Sequence, residues 1–197
     1  MARNVMTDRR ARRTRSLLHA ALVELILERG YDRVTVQDIL DRADIGRSTF
    51  YNHYPSKDEL LLSRVHELED AVRARISTGA QNPEEKSSTS LMAPMQPLFE
   101  HAGDHRALCQ AMLAGGRATD LAFRSGRMML RDTLTTHLSS RFAVTDSNRL
   151  DLAVTFVING MFGVIARWLE AQPQRSADSV FSDFDQLAAE GLGAYLH

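Results

Sequence analysis

The chain of 197 residues has one cysteine, one tryptophan and only two lysines, Lys57 and Lys86. The lone Cys109 excludes an internal disulfide and fits a reducing compartment. The longest nearly apolar run, residues 152–166, still holds Thr155 and Asn159 and reads as too short to cross a bilayer, so a buried or interfacial helix is expected there. The N-terminus has no apolar signal region either, so a cytoplasmic protein without a membrane partner is expected. Enzyme signatures are missing: there is no glycine-rich phosphate loop, paired CxxC, HExxH or GxSxG. Histidines are scattered, and the pair at helical spacing, His101 and His105, brackets Gly103 and Asp104, which read as a helix break. No catalytic residue, metal or cofactor is expected.

What is there describes an ordinary globular chain, 44% hydrophobic and 25% charged, with room for one good core and a small satellite domain. The formal net charge of -1 hides an asymmetry. Residues 1–57 carry 11 Lys+Arg against 7 Asp+Glu, a net of +4, which leaves -5 for the other 140. A positive lobe on an acidic body suits a protein that presents one end to nucleic acid.

Within that lobe, residues 35–57 (TVQDILDRADIGRSTFYNHYPSK) read as two short helices joined by a tight turn. Thr35 is a good cap, Asp38 an acidic helper three residues later, and Val36, Ile39, Leu40 and Ala43 recur at helical spacing. Asp44 tolerates a left-handed backbone and Gly46 can open a new helix over 47–54. Phe50 and Tyr54, one turn apart, point inward. The outward set, Arg47, Ser48, Thr49, Tyr51, Asn52 and His53, is rich in donors and holds no acid, which is the chemistry that reads base edges beside phosphates. Pro55 breaks the helix and Ser56 caps the next one. Lys57 in a first helical turn opposes the helix dipole but is well placed to hold a phosphate.

This stretch, extended to Leu61 and joined by Leu17, Ala21, Leu25 and the Gly30-Tyr31 pair, resembles the DNA-binding domain of the TetR family of bacterial regulators. The run Ser48-Thr49-Phe50-Tyr51, then His53, Tyr54, Pro55, Ser56 and Lys57, stands in the family's order and spacing. Two positions depart from it: Asp44 replaces the usual turn glycine and Gly46 the usual serine cap, and both suit the same backbone roles. The resemblance implies that Arg47, Ser48, Thr49 and Asn52 face bases, while Thr35, Gln37, Tyr51, His53 and Lys57 mostly hold phosphates. It also implies a homodimer whose two reading helices occupy a palindromic operator, at the spacing of about 34–36 Å or a multiple that such dimers use.

The rest of the chain reads as helical. Residues 1–8 are expected to be a loose arm, followed by the cluster Arg9, Arg10, Arg12, Arg13 and Arg15, which adds salt-dependent affinity for phosphates. Helix 1 is expected over 10–29 and helix 4 over 57–76. Residues 77–90 lack periodicity and form the best candidate for a mobile linker. Beyond it, helical segments are expected over 94–102, 105–114, 119–142, 148–171 and 177–195, with no strand alternation and no repeat.

The segment 148–171 is apolar on nearly all sides, which demands burial all round, in a large core or between two molecules. Its stripe of Phe156, Gly160, Gly163 and Arg167 permits close helix approach and is assigned to a second subunit. The bulky stripe of Val154, Ile158, Met161, Ile165 and Trp168 is assigned to the chain's own core. The last helix joins the interface through Phe184, Leu187, Ala188 and Gly191, making a four-helix bundle with the same pair from the partner. The family resemblance further implies a small-molecule pocket, for which Phe99, Met112, Phe123, Met128, Met161 and Trp168 are the candidates. Methionines and aromatics there suit an apolar or aromatic effector.

The fold expected is all-α: a helix-turn-helix DNA-binding domain at 1–57 and a helical effector-binding and dimerisation domain at 58–197. The function expected is a ligand-responsive transcriptional regulator, a repressor released from its operator by the effector. The alternatives are an activator, a regulator without an effector, or a helical enzyme with a buried pocket, for which the sequence supplies no nucleophile and base.

Overall fold

A computed structural model describes residues 2–81, 90–113, 116–142, 144, 146–171 and 175–196, with the side chains of 2–8, 77–81 and 119 left aside. Among the described residues there are helices and turns and no strand. The helices are α1 (Ala2–Arg29), α2 (Val36–Ala43), α3 (Arg47–His53), α4 (Lys57–Gln81), α5 (Gln96–Asp104), α6 (Arg106–Leu113), α7 (Arg117–Arg141), α8 (Ser147–Glu170) and α9 (Ala177–Leu196). Single 3-10 turns stand at Tyr31–Arg33 and Ala93–Met95. Two compact units result: residues 1–65 with 111–123, and residues 66–110 with 124–197.

The first unit is built on α1. Leu18, Leu22, Leu25 and Ile26 recur along one stripe of that helix and are almost fully buried, together with Ile39 and Leu40 of α2, Phe50 of α3 and Leu60 of α4. Arg42 ties α2 back to α1, donating to Glu24 at 2.9 Å and to both carboxylate oxygens of Glu28 at 2.8 Å. The helix departs from the reading above at its start, because it begins at Ala2 and absorbs the segment expected to be a loose arm. No glycine or proline lies between positions 2 and 29, so a helix nucleated over the apolar stripe propagates backwards without a breaker.

The second unit packs α5 against α9, with α8 touching both. Phe99 of α5 is fully buried, its ring 5.5 Å from Phe181 and 5.4 Å from Phe184 of α9. Val154, Val157, Ile158 and Met161 form the buried side of α8, as the bulky stripe required, with Trp168 also buried and Ile165 half-buried. Asp146 caps α8 by accepting from the amides of Asn148 and Arg149. Arg106 closes the other end, donating to the carbonyls of Trp168 and Leu169, where a cation meets the negative end of the helix. Of the expected linker, residues 77–81 continue α4 and 82–89 lie outside the described residues.

Candidate nucleic-acid interface

Backbone chemistry fixes both ends of α2 and the turn that leads into α3. Thr35 caps α2 in a complete capping box: its hydroxyl accepts from the Asp38 amide at 3.2 Å, and its own amide donates to the Asp38 carboxylate at 2.8 Å. These bonds, with Arg29 at 2.9 Å, hold the Asp38 carboxyl down at about 2. Asp44 ends the helix in the left-handed region, at φ 53° and ψ 47°. Gly46 then opens α3 in an extended conformation with no side-chain cap.

Helix α3 is short, and its register decides what it shows. Phe50 is fully buried and Tyr54 nearly so, which leaves Arg47, Ser48, Tyr51 and Asn52 exposed, with Thr49 and His53 half-buried. The helix stops one residue earlier than its sequence pattern suggests. Tyr54 takes an extended backbone at φ -140° and ψ 125°, because Pro55 disfavours helical geometry in the residue before it. Its ring stays in the core, where the hydroxyl meets His19 Nε2 at 3.3 Å and the rings cross edge to face.

Arg47 and Gln37 are brought together: Arg47 donates to Gln37 Oε1 at 2.9 Å, and Gln37 donates to Asp41 at 2.7 Å. This chain orders two expected contact side chains from two different helices. Thr35 is exposed, although its hydroxyl is engaged in the cap. Lys57 is placed differently from a simple surface cation. Its ammonium donates to the carbonyls of Tyr31 (3.0 Å) and Val34 (2.6 Å) and lies 4.3 Å from the centre of the Tyr31 ring. Burial pulls it below its ordinary pKa. A lysine has three donors, so one is left for a phosphate.

Sequence reasoning missed the group behind Lys57. Tyr31 and Arg117 both donate to the Asp58 carboxylate, Arg117 at 2.6 Å. Burial alone would raise the Asp58 pKa, but these hydrogen bonds and the adjacent cations outweigh it and hold the group below its ordinary value. Burial and the bond to Asp58 push the Tyr31 phenol far up. Nothing local in the sequence links position 58 to position 117.

The residues expected to line one effector pocket are distributed over both units. Met112 and Phe123 are half-buried in the first. In the second, Phe99 and Met161 are fully buried, and Trp168 packs on Gly103 while donating its ring N–H to the Arg175 carbonyl at 2.9 Å. Met128 is 71% exposed and lines a surface groove of about 210 Å³ with Arg127, Arg131, Thr155, Ile158 and Asn159. Cys109 is no nucleophile at neutral pH, since burial raises its thiol to about 11.

Of the stripe assigned to a second subunit, Phe156, Gly163 and Arg167 are exposed on α8 and Gly160 is half-buried; Leu152, outside that assignment, is exposed as well. Leu187 and Gly191 are exposed on α9. Phe184 and Ala188 are not on that face, because the turn of α9 that carries them packs into the core of its own unit. At Gly160, Gly163, Gly191 and Gly193 an added Cβ would meet nothing within 4 Å.

Comparison with known proteins places the site in context. Residues 17–63 match the family described as bacterial regulatory proteins, tetR family. The chain is 30% identical over 90 residues to the HTH-type transcriptional regulator TcmR of Streptomyces glaucescens, a match covering 45% of this chain and 40% of TcmR. The chain thus spans well under two thirds of that relative. Among solved structures, a TetR transcriptional regulator from Streptococcus agalactiae superposes with a TM-score of 0.61 at 21% identity, over 94% of this chain and 98% of that one. FadR of Thermus thermophilus, a TetR-family repressor solved with lauroyl-CoA, gives 0.57 at 20% identity over 90% and 94%. At these identities the structures speak for the fold.

Proposed function

We propose, from the premise that this chain belongs to the TetR family of bacterial regulatory proteins, that it is a homodimeric transcriptional regulator. The observation that carries this reading is the outward face of α3. Arg47, Ser48, Tyr51 and Asn52 are exposed on a helix that carries no acid and is anchored behind by Phe50 and Tyr54. Such a face enters a major groove, where arginine and asparagine pair with purine edges and the flanking residues grip phosphates. Residues 1–57 form the reading domain and 58–197 the effector-binding and dimerisation domain.

A second copy of the chain covers the exposed side of α8 and α9. Glycine in a helix costs about 1 kcal/mol relative to alanine, and on this face nothing within the chain profits from the missing side chains. Phe156 and Leu187, 62% and 69% exposed, supply the apolar contacts. The dimer places two reading helices on a palindromic operator as a repressor in the bacterial cytoplasm. The effector is an apolar or aromatic small molecule; FadR, which shares the fold, was solved with a fatty acyl-CoA. An activator would use the same parts.

The test is selection of duplexes from a randomised library by the full-length protein, followed by binding at a series of salt concentrations. A palindromic sequence should be enriched, with affinity falling linearly in log salt. Enrichment of no duplex, or binding that ignores salt, rules the reading out.

A further inference from the structure

The first unit contains a segment remote from it in sequence. Residues 111–113 and 116–123 group with residues 1–65: Gly116 approaches the connection between α1 and α2, and Arg117 reaches the first turn of α4. Gly116 has φ +102° and approaches so closely that a Cβ there would stand 2.6 Å from Asp32 Oδ2. One residue on, Arg117 donates to Asp58 Oδ2 through Nη2 at 2.6 Å and Nε at 3.2 Å.

Asp58 is the joint. It sits in the first turn of α4, where a carboxylate suits the helix dipole, and its other oxygen takes the Tyr31 hydroxyl. Tyr31 in turn lies under the Lys57 ammonium, which holds the carbonyls at 31 and 34. The next residue is Thr35, the cap of α2. An unbroken series of polar contacts therefore runs from the first residue of α7 to the first residue of the helix-turn-helix. The Arg117 side chain is 64% exposed and that of Asp58 only 20%. A pair with one partner in water contributes little to stability, so its work is to fix position.

We propose that Arg117 is a positioning residue for DNA binding: through Asp58 and Tyr31 it holds the start of α4 against the α1–α2 connection, and so sets where Thr35 and Lys57 stand. The proposal rests on the DNA-binding reading above and adds its point of control. Helix α7 continues to Arg141 among residues of the second unit. Withdrawal of its first turn would unlatch Asp58 and loosen the phosphate grip while leaving the reading face of α3 chemically intact.

The experiment uses full-length protein and a labelled duplex that the wild-type protein has selected from a randomised library. Arg117→Ala should weaken binding about tenfold, within the range of coupling between linked sites, and lower the salt slope by about one, with helix content by circular dichroism unchanged. Asp58→Asn should do the same, and the double variant should be no weaker than either single one. Arg117→Lys, which keeps a point charge, should recover most of the affinity. Unaltered affinity and salt slope in Arg117→Ala overturn the proposal. Equal losses in the alanine and lysine variants that track lost helix content overturn it as well, because Arg117 is then merely structural. Failure of the wild type to enrich any duplex removes the DNA-binding reading itself, and is recognised before any variant is made.

Discussion

The two units expose opposite chemistry. On the first, the exposed helix face is short, polar and free of acid, and it is held by two rings, Phe50 and Tyr54, placed behind it. On the second, α8 and α9 expose Leu152, Phe156 and Leu187 on helices that also carry glycines. A polar face hydrated at rest can exchange water for base edges without first burying anything. An apolar face left in water carries a standing cost that only another apolar face removes. The contrast explains why one end of the chain is read as a reader of DNA and the other as a seat for a second copy.

Removing the support of the reading face should have the largest effect. Phe50→Ala empties a fully buried site and should destabilise the first unit by about 3–5 kcal/mol, seen in denaturant titration as an early transition separate from that of the second unit. A single cooperative transition at the wild-type midpoint would mean that Phe50 does not anchor α3. Next comes the apolar face: Phe156→Arg should weaken self-association by about 2 kcal/mol or more, read by sedimentation equilibrium, with helix content unchanged because that side chain is exposed in the single chain. Association at wild-type strength would remove Phe156 from the interface.

Two cations of the first unit sharpen the comparison further. Arg47→Ala should relax preference at one base pair by about 1–3 kcal/mol, measured with matched and single-mismatch duplexes. Lys57→Ala should instead weaken all duplexes alike and lower the salt slope by about one. It should also destabilise the unit by about 1 kcal/mol, since it gives up two bonds from a charged donor. If Lys57→Ala altered sequence preference while the salt slope stayed constant, its assignment to phosphate would fail.

The smallest effect concerns pH. Asp38 is held at about 2, below its ordinary 3.8, so its contribution to stability is full above that ordinary value and is lost as pH falls through about 2. Asp38→Asn should flatten the acid limb of the stability curve in that window. An unchanged limb would show that the capping box at Thr35 carries no titrating charge.

The sequence made the local features legible because their causes are local. Thr35 and Asp38 are three residues apart, the turn needs a residue such as Asp44 that accepts φ 53°, and Phe50 with Tyr54 sets the register of α3. The 3.6-residue period also separated the buried stripe of α8 from its exposed one. What escaped depends on partners distant in sequence. Arg117 meets Asp58 across 59 positions, and Lys57 turns inward because the carbonyls at 31 and 34 happen to face it. Phe184 and Ala188 fit an interface by pattern, yet the aromatic ring at position 99 takes that side of α9 for the core. The same holds for the six pocket candidates: a methionine or aromatic at helical spacing declares burial, while lining a cavity depends on the gap left between neighbours.

The open helical glycines have a consequence for abundance. At Gly160, Gly163, Gly191 and Gly193 folding of a solitary chain gives up a glycine's large conformational freedom, and a Cβ there would meet nothing within 4 Å. In the proposed dimer a partner helix would supply the missing contact, and folding would then be linked to protein concentration by mass action. A cell holding few copies would hold them partly as unfolded monomers open to proteolysis, and a cell holding many would protect them. The lifetime of the protein would then rise with its own amount.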